Sequence, residues 1–185
     1  MKNITRLTLA LVALLAVGAP AAFAQKSVMV GGAAMYANRD IVDNAVNSAD
    51  HTTLVAAVKA AGLVDTLKSP GPFTVFAPTN EAFAALPAGT VDTLVKPENK
   101  GMLTSILTYH VIPGRYDFRK LDQAIKAGGG KAELTTVEGQ KLTAWMDGDA
   151  LILTDANGGK AKVTIANVMQ SNGVIHVVDH VLLGK

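Results

Sequence analysis

Phe73-Thr74-Val75-Phe76-Ala77-Pro78-Thr79-Asn80-Glu81-Ala82-Phe83 changes secondary structure within one short stretch. Phe73-Thr74-Val75-Phe76 is β-branched and aromatic, the composition of a strand. Pro78 brings no N–H to a ladder and stops it. Thr79 then offers a hydroxyl to the first turn of a helix, which runs through Phe83 and Leu86 and ends at Pro87. What flanks this hand-over from strand to helix decides the fold class.

Upstream the pattern is helical. Ile41, Val42, Ala45 and Val46 share a face within 40–49. Asp50 reads as the N-cap of a second helix carried by Leu54, Val55, Val58 and Ala61, with Gly62 as its stop. Leu63 to Leu67 forms another helical turn before Ser69-Pro70-Gly71. Downstream, helices are predicted over 90–95 and 97–108, the longer burying Leu103, Ile106 and Leu107. Tyr109 to Ile112 turns into a strand ending at Pro113-Gly114, and 118–127 is helical with Leu121 and Ile125 inward. Past Gly128-Gly129-Gly130 come short strands over 133–137, 141–146, 150–154, 162–168 and 174–183. Glu138-Gly139, Asp147-Gly148, Asn157-Gly158-Gly159 and Asn172-Gly173 separate them, which predicts an antiparallel meander. Lys160, Lys162 and Thr164 alternate with Ala161, Val163 and Ile165, so one face of that strand is wet. Helices first and strands later predict an α+β domain.

At the start of the chain, Lys2 and Arg6 precede an uncharged apolar run, and Ala22-Phe23-Ala24 follows. That order is a secretory signal peptide cut after Ala24. Gly18 and Pro20 interrupt the run, and it is too short for a membrane span of about 20 apolar residues. The expected organisation is a signal over 1–24, a loosely attached Gly- and Ala-rich arm over 25–38, and one domain over 39–185. The expected location is secreted or periplasmic, with no membrane insertion of the mature chain. Losing Lys2 and Arg6 takes the formal net charge from +2 to neutral, and no basic stripe argues for nucleic acid. With no Cys in the chain, thiol chemistry, disulfides and Cys-ligated metals are excluded.

Three stretches together resemble the signature of the fasciclin-type domain. The first is the strand–helix stretch from Phe73 to Phe83. The second is Tyr109-His110, flanked by Leu107, Val111 and Ile112. The third is Asn172-Gly173-Val174-Ile175-His176-Val177-Val178-Asp179 followed by Val181-Leu182-Leu183. They stand in the family's order over about 40–185, and Met29 to Tyr36 is similar to the arm of small secreted bacterial members. The resemblance implies a β-sandwich-like wedge of short strands flanked by several helices, used for adhesion or protein binding. In animal members the tyrosine-histidine region and an Asp-Ile dipeptide are implicated in integrin binding; here Asn167-Val168 stands at the dipeptide's position.

Chemical motifs are sparse. His176 and His180 have the spacing that chelates zinc from a helix, but on a strand they lie about 13 Å apart, too far for one ion. Met29 and Met35 are soft ligands without a nearby His. Gly128-Gly129-Gly130-Lys131 lacks the first Gly and the final Ser or Thr of a phosphate loop. No Gly-x-Ser-x-Gly is present and no carboxylate pair stands out. Neither a catalytic residue, a cofactor site nor a metal site is therefore nominated. The candidate partner contact is Tyr109, His110, Leu107, Ile112, Thr79 and Asn80, with Asn167 and Val168 as a weaker surface. Between the two roles for Tyr109-His110, contact and structure, the residues favour structure, His110 being held by hydrogen bonds to the Pro78-Thr79-Asn80 turn. The expected function is a monomeric, non-enzymatic binding or adhesion module for a protein, a cell-surface or extracellular-matrix component, or a cell-envelope glycan. Its rivals are a periplasmic binder of a small apolar ligand and an enzyme of unfamiliar type.

Overall fold

Asp40, Thr79 and Asp117 each hold extended backbone one residue before a helix, where a side-chain oxygen accepts an otherwise unpaired N–H. The donors are Asp43 N at 2.8 Å, Ala82 N at 3.2 Å and Lys120 N at 2.8 Å. These caps start α1 (Ile41–Ala45), α4 (Asn80–Ala84) and α7 (Phe118–Ala127). Between them lie α2 (Thr52–Ala61), α3 (Val64–Lys68), α5 (Thr90–Leu94) and α6 (Lys100–Tyr109). Gly62 ends α2 in the left-handed region at φ 73°, as its position predicted. The computed structural model describes residues 27–185, so the expected signal peptide and its cut after Ala24 lie outside the described residues.

The start of α2 corrects the sequence reading. Asp50 makes no cap; it sits in a 3-10 turn over Ala49–His51. The carboxamide of Asn80 caps instead: its Oδ1 accepts from Thr53 N at 3.0 Å and Thr52 Oγ1 at 3.1 Å. Its Nδ2 donates to Ala49 O at 2.7 Å. A residue remote in sequence thus satisfies the helix end from the side.

Seven strands form one mixed sheet: β3 (Phe73–Pro78), β4 (Val111–Pro113), β5 (Lys131–Thr135), β6 (Lys141–Asp147), β7 (Ala150–Thr154), β8 (Lys160–Gln170) and β9 (Gly173–Val178). Their order is β4-β3-β9-β8-β7-β6-β5. The run from β5 to β9 is the expected antiparallel meander. The pairing of β3 with β9 is parallel, Phe73 opposite Gly173 and Val75 opposite Ile175. Val137 N donates to Val111 O at 2.8 Å, joining the chain after β5 to β4, so the sheet curls into a near-barrel. The last strand stops at Val178 rather than Leu183.

Both faces of β3 and β9 are covered, and β9 is buried at every position. On the helical side Val75, Ala77, Ile175 and Val177 meet α1, α2, α3 and α6. Inside the curl Phe76, Val178, Leu142 and Leu153 meet α7 and Tyr109. Each buried Val, Leu, Ile or Phe among them contributes roughly 1.5–3 kcal/mol, and with no disulfide these two cores hold the domain.

Residues 25–38, expected as a loose arm, are corrected from Ser27 onward. β1 (Ser27–Val30) and β2 (Ala33–Tyr36) form a hairpin that buries Val30 and Met35 in the helical-side core. Asn44 fastens it, accepting from Tyr36 N at 3.0 Å and donating to Tyr36 O at 2.8 Å. Met29 is exposed on the opposite face from buried Met35, so the two thioethers do not converge.

Candidate functional site

α6 ends at Tyr109, His110 holds helical backbone as its C-cap, and β4 begins at Val111. The junction sends successive side chains into different cores. Leu107 and Val111 enter the helical-side core, while Tyr109 and Ile112 enter the curl. Tyr109 is fully buried, and Leu107, His110 and Ile112 are 4% exposed or less. Tyr109 and Ile112 offer no surface to a partner, and Leu107 and His110 face only the cleft between α1, α2, α3 and β3, although the sequence reading grouped all four as candidate contacts.

The polar atoms of the pair are all engaged. Tyr109 OH donates to Lys141 O at 2.8 Å and accepts from Ala156 N at 3.1 Å, tying α6 to the meander. Burial raises its phenol above the ordinary value. His110 Nδ1 donates to Ile106 O at 2.8 Å, and Nε2 accepts from Leu182 N at 3.0 Å. These partners replace the 78–80 turn expected from sequence. Burial pushes His110 down to about 4, so its imidazole is neutral and each nitrogen has one fixed role.

Thr79 and Asn80 are half-buried and spent on capping α4 and α2. Asn167 is exposed at the bulge of β8, at φ 61°, and its Oδ1 accepts from Phe118 N at 2.7 Å. Val168 is fully buried. His176 is buried as well: Nε2 donates to Tyr116 O at 2.8 Å, and Nδ1 accepts a long bond of 3.4 Å from Asn167 N. His180 is exposed and pairs with Asp179 at 2.9 Å, so the two rings face different surroundings.

The hollow beside this junction is an apolar cleft of about 70 Å³ between α1, α2, α3 and β3. Leu54, Val55 and Val58 of α2 form one wall, Ile41 and Val42 of α1 another, and Val75, Leu107 and His110 the floor. Val137 stands at it with 44% of its surface exposed, and exposed Lys59 is the charged residue among its lining. Asn172 positions the walls. Its Oδ1 accepts from Ile41 N at 3.1 Å, and its Nδ2 donates to Leu67 O at 2.7 Å and Ser69 O at 2.9 Å. The sequence reading nominated Leu107 and His110 but missed Val55, Lys59 and Val137. The one available signal was Val55 beside Leu54, which widens the apolar stripe of α2 beyond a narrow core seam. Neutral His110 and one lysine, with no nucleophile held against a base, make a surface for apolar contact. Among the described residues no group of three or more His, Asp or Glu could hold a metal ion.

Residues 49–184 match the Fasciclin domain. The chain belongs to the fasciclin domain family. Protein sll1483 of Synechocystis sp. is 47% identical over 160 residues, covering 86% of this chain and 81% of that protein. Immunogenic protein MPB70 of Mycobacterium bovis is 38% identical over 144 residues, covering 75% of this chain and 66% of its own length. Among solved structures, the FAS1 domain pair from the insect cell adhesion molecule Fasciclin I superposes with a TM-score of 0.54 at 25% identity. The likeness covers 70% of this chain and 43% of that one. The match to the Fasciclin domain begins at residue 49, so the β1–β2 hairpin and α1, which supplies one wall of the cleft, precede it. No helix of the described residues is long and apolar enough to cross a membrane.

Proposed function

We propose that this fasciclin domain is an exported, non-enzymatic adhesion module that takes an apolar group of a protein or cell-envelope partner into the cleft between α1 and α2. Family membership supports the adhesion class, since the similar FAS1 domain pair comes from the insect cell adhesion molecule Fasciclin I. The signal-like start supports work outside the cytoplasm, secreted or in the periplasm after a cut following Ala24. The observation that carries the reading is the cleft itself: apolar, solvent-reaching at Val137, and free of convergent titratable groups. A pocket that desolvates one aliphatic anchor is the form of a binding hot spot.

The test is capture from cell envelope by the mature chain and by Val55→Trp, which fills the cleft from its half-buried rim. Capture is expected to weaken by about 2 kcal/mol or more, the cost of losing a hot spot, with the melting temperature kept. Equal capture by both proteins removes the cleft as the contact. The size of the cleft also favours a second reading. An apolar cavity of about 150 Å³ binds benzene; at about 70 Å³ this one suits an isobutyl-sized group, from a side chain or from a small free ligand. Native mass spectrometry of the exported protein showing a co-purified hydrophobic molecule would select the free ligand.

A further inference from the structure

The wet face of the meander carries a second feature, on the side away from both cores. In the register of β6, β7 and β8, Trp145 pairs with Ile152 and Ile152 with Lys162. In the next row Thr143 pairs with Thr154 and Thr154 with Lys160. Alternation puts these residues on one face, while Leu142, Ala144, Leu153 and Ala161 point into the curl. Trp145 is half-buried, and its Nε1 donates to Thr154 Oγ1 at 3.0 Å, which fixes the indole. Beside it lies an open groove of about 240 Å³, bounded by Asp147 on one side and by Asp179 and His180 on the other.

We propose that this groove is a subsite for one neutral hexopyranose unit of a glycan. The inference rests on the adhesion reading and names a partner class for it. A pyranose ring has an apolar C–H face and a rim of hydroxyls that both donate and accept. Trp145 supplies a rigid platform for the face. Asp147 and Asp179 accept from hydroxyls, and Lys160 and Lys162 donate to them. Asp179 Oδ1 is already oriented by Lys162 N at 2.7 Å and His180 at 2.9 Å, and the residue lines the groove. The Lys160 ammonium sits 5.4 Å from the indole centroid on a flexible stem, so an entering ring displaces it from the face toward the hydroxyl rim. Two lysines balance two aspartates, which selects an uncharged polyol over a phosphate or a polyanion. Ile152 is the one aliphatic side chain lining the groove, a poor match for the dry centre a protein hot spot needs.

Trp145 is the single tryptophan of the chain, so fluorescence of the whole mature protein under selective tryptophan excitation reports this groove. The probes are trimers of glucose, galactose, mannose and N-acetylglucosamine, with heparin as the polyanion control. At least one neutral trimer is expected to give a saturable fluorescence change with millimolar affinity, and heparin none. Asp147 is exposed, so Asp147→Ala leaves the fold in place and should weaken that binding about tenfold by fluorescence. Trp145→Ala, followed by calorimetry, should abolish it. Four silent trimers, binding unaltered in Asp147→Ala, or a response to heparin alone would each overturn the subsite. A response to protease-sensitive envelope protein without a response to any trimer would overturn it in favour of a protein partner. Those outcomes leave the cleft test of Val55→Trp untouched, so failure of the subsite is distinguishable from failure of the adhesion reading.

Discussion

Tyr109 is conspicuous in the sequence because an aromatic beside a histidine interrupts an apolar run, and exposure would make it a contact. The structure gives it a different task. Its hydroxyl is shared between Lys141 O and Ala156 N, one bond to each of two separate segments of the meander. Tyr109→Phe keeps the ring in the curl and removes only the oxygen, which strands the partly buried Lys141 carbonyl and Ala156 N–H. The expected loss is ~1–3 kcal/mol, seen as a lower urea midpoint with an unchanged slope, while envelope capture per folded molecule stays at the parent level. Loss of capture at full stability would restore Tyr109 as a contact residue. Nothing in the residue order could have decided between the two roles. Leu107 to Ile112 crosses from helix to strand, so neither the 3.6-residue nor the 2-residue period holds long enough to assign a side to Tyr109.

At the scale of elements, the rules that worked were local ones. Thr79 and Gly62 serve as the cap and the stop read from the sequence, and α7 runs over the residues its pattern indicated. The meander was legible because each turn signal joins strands that pair with each other. The parallel pairing of β3 with β9 was not, since no turn chemistry links Phe73 to Gly173. Asn80 shows the same limit in one side chain. A capping rule looks one turn along the chain and so selects Asp50, whereas the cap of α2 arrives from another helix. Asn80→Ala should therefore destabilise the domain by ~1–2 kcal/mol, the range for a lost cap, and should speed amide exchange at Thr53. Asn80→Asp keeps the acceptor and adds a charge suited to a helix start, so it should recover more than half of that loss. Equal damage by both variants would mean that the bond to Ala49 O, and not the cap, is what matters.

For the whole molecule, the two cores share a consequence that no single element shows. Covering both faces of the central strands buries His51, His110 and His176, and burial holds each of them below the ordinary imidazole value. His110 is pushed down to about 4. In the unfolded chain the same rings titrate near 6.5. Above that pH both states bind the same number of protons at these sites, and stability is complete. Below it the unfolded chain takes up protons that the folded chain refuses, so stability falls as pH drops from about 6.5 toward about 4. The slope approaches ~1.4 kcal/mol per pH unit for each fully refused proton. Asp43, held below its usual range by the Lys68 ammonium, loses its contribution only under more acid conditions and does not shape this window. Urea midpoints at pH 7.5, 5.5 and 4.5 should therefore decline stepwise without a change of fold by circular dichroism. His110→Gln removes one of the three titrations, so its midpoint should start lower at pH 7.5 and fall less steeply. A midpoint that stays level to pH 4.5 would mean that the histidines can charge in place. The two cores would then be open enough to hydrate them, against the hydrogen bonds that fix His110 and His176 as neutral rings.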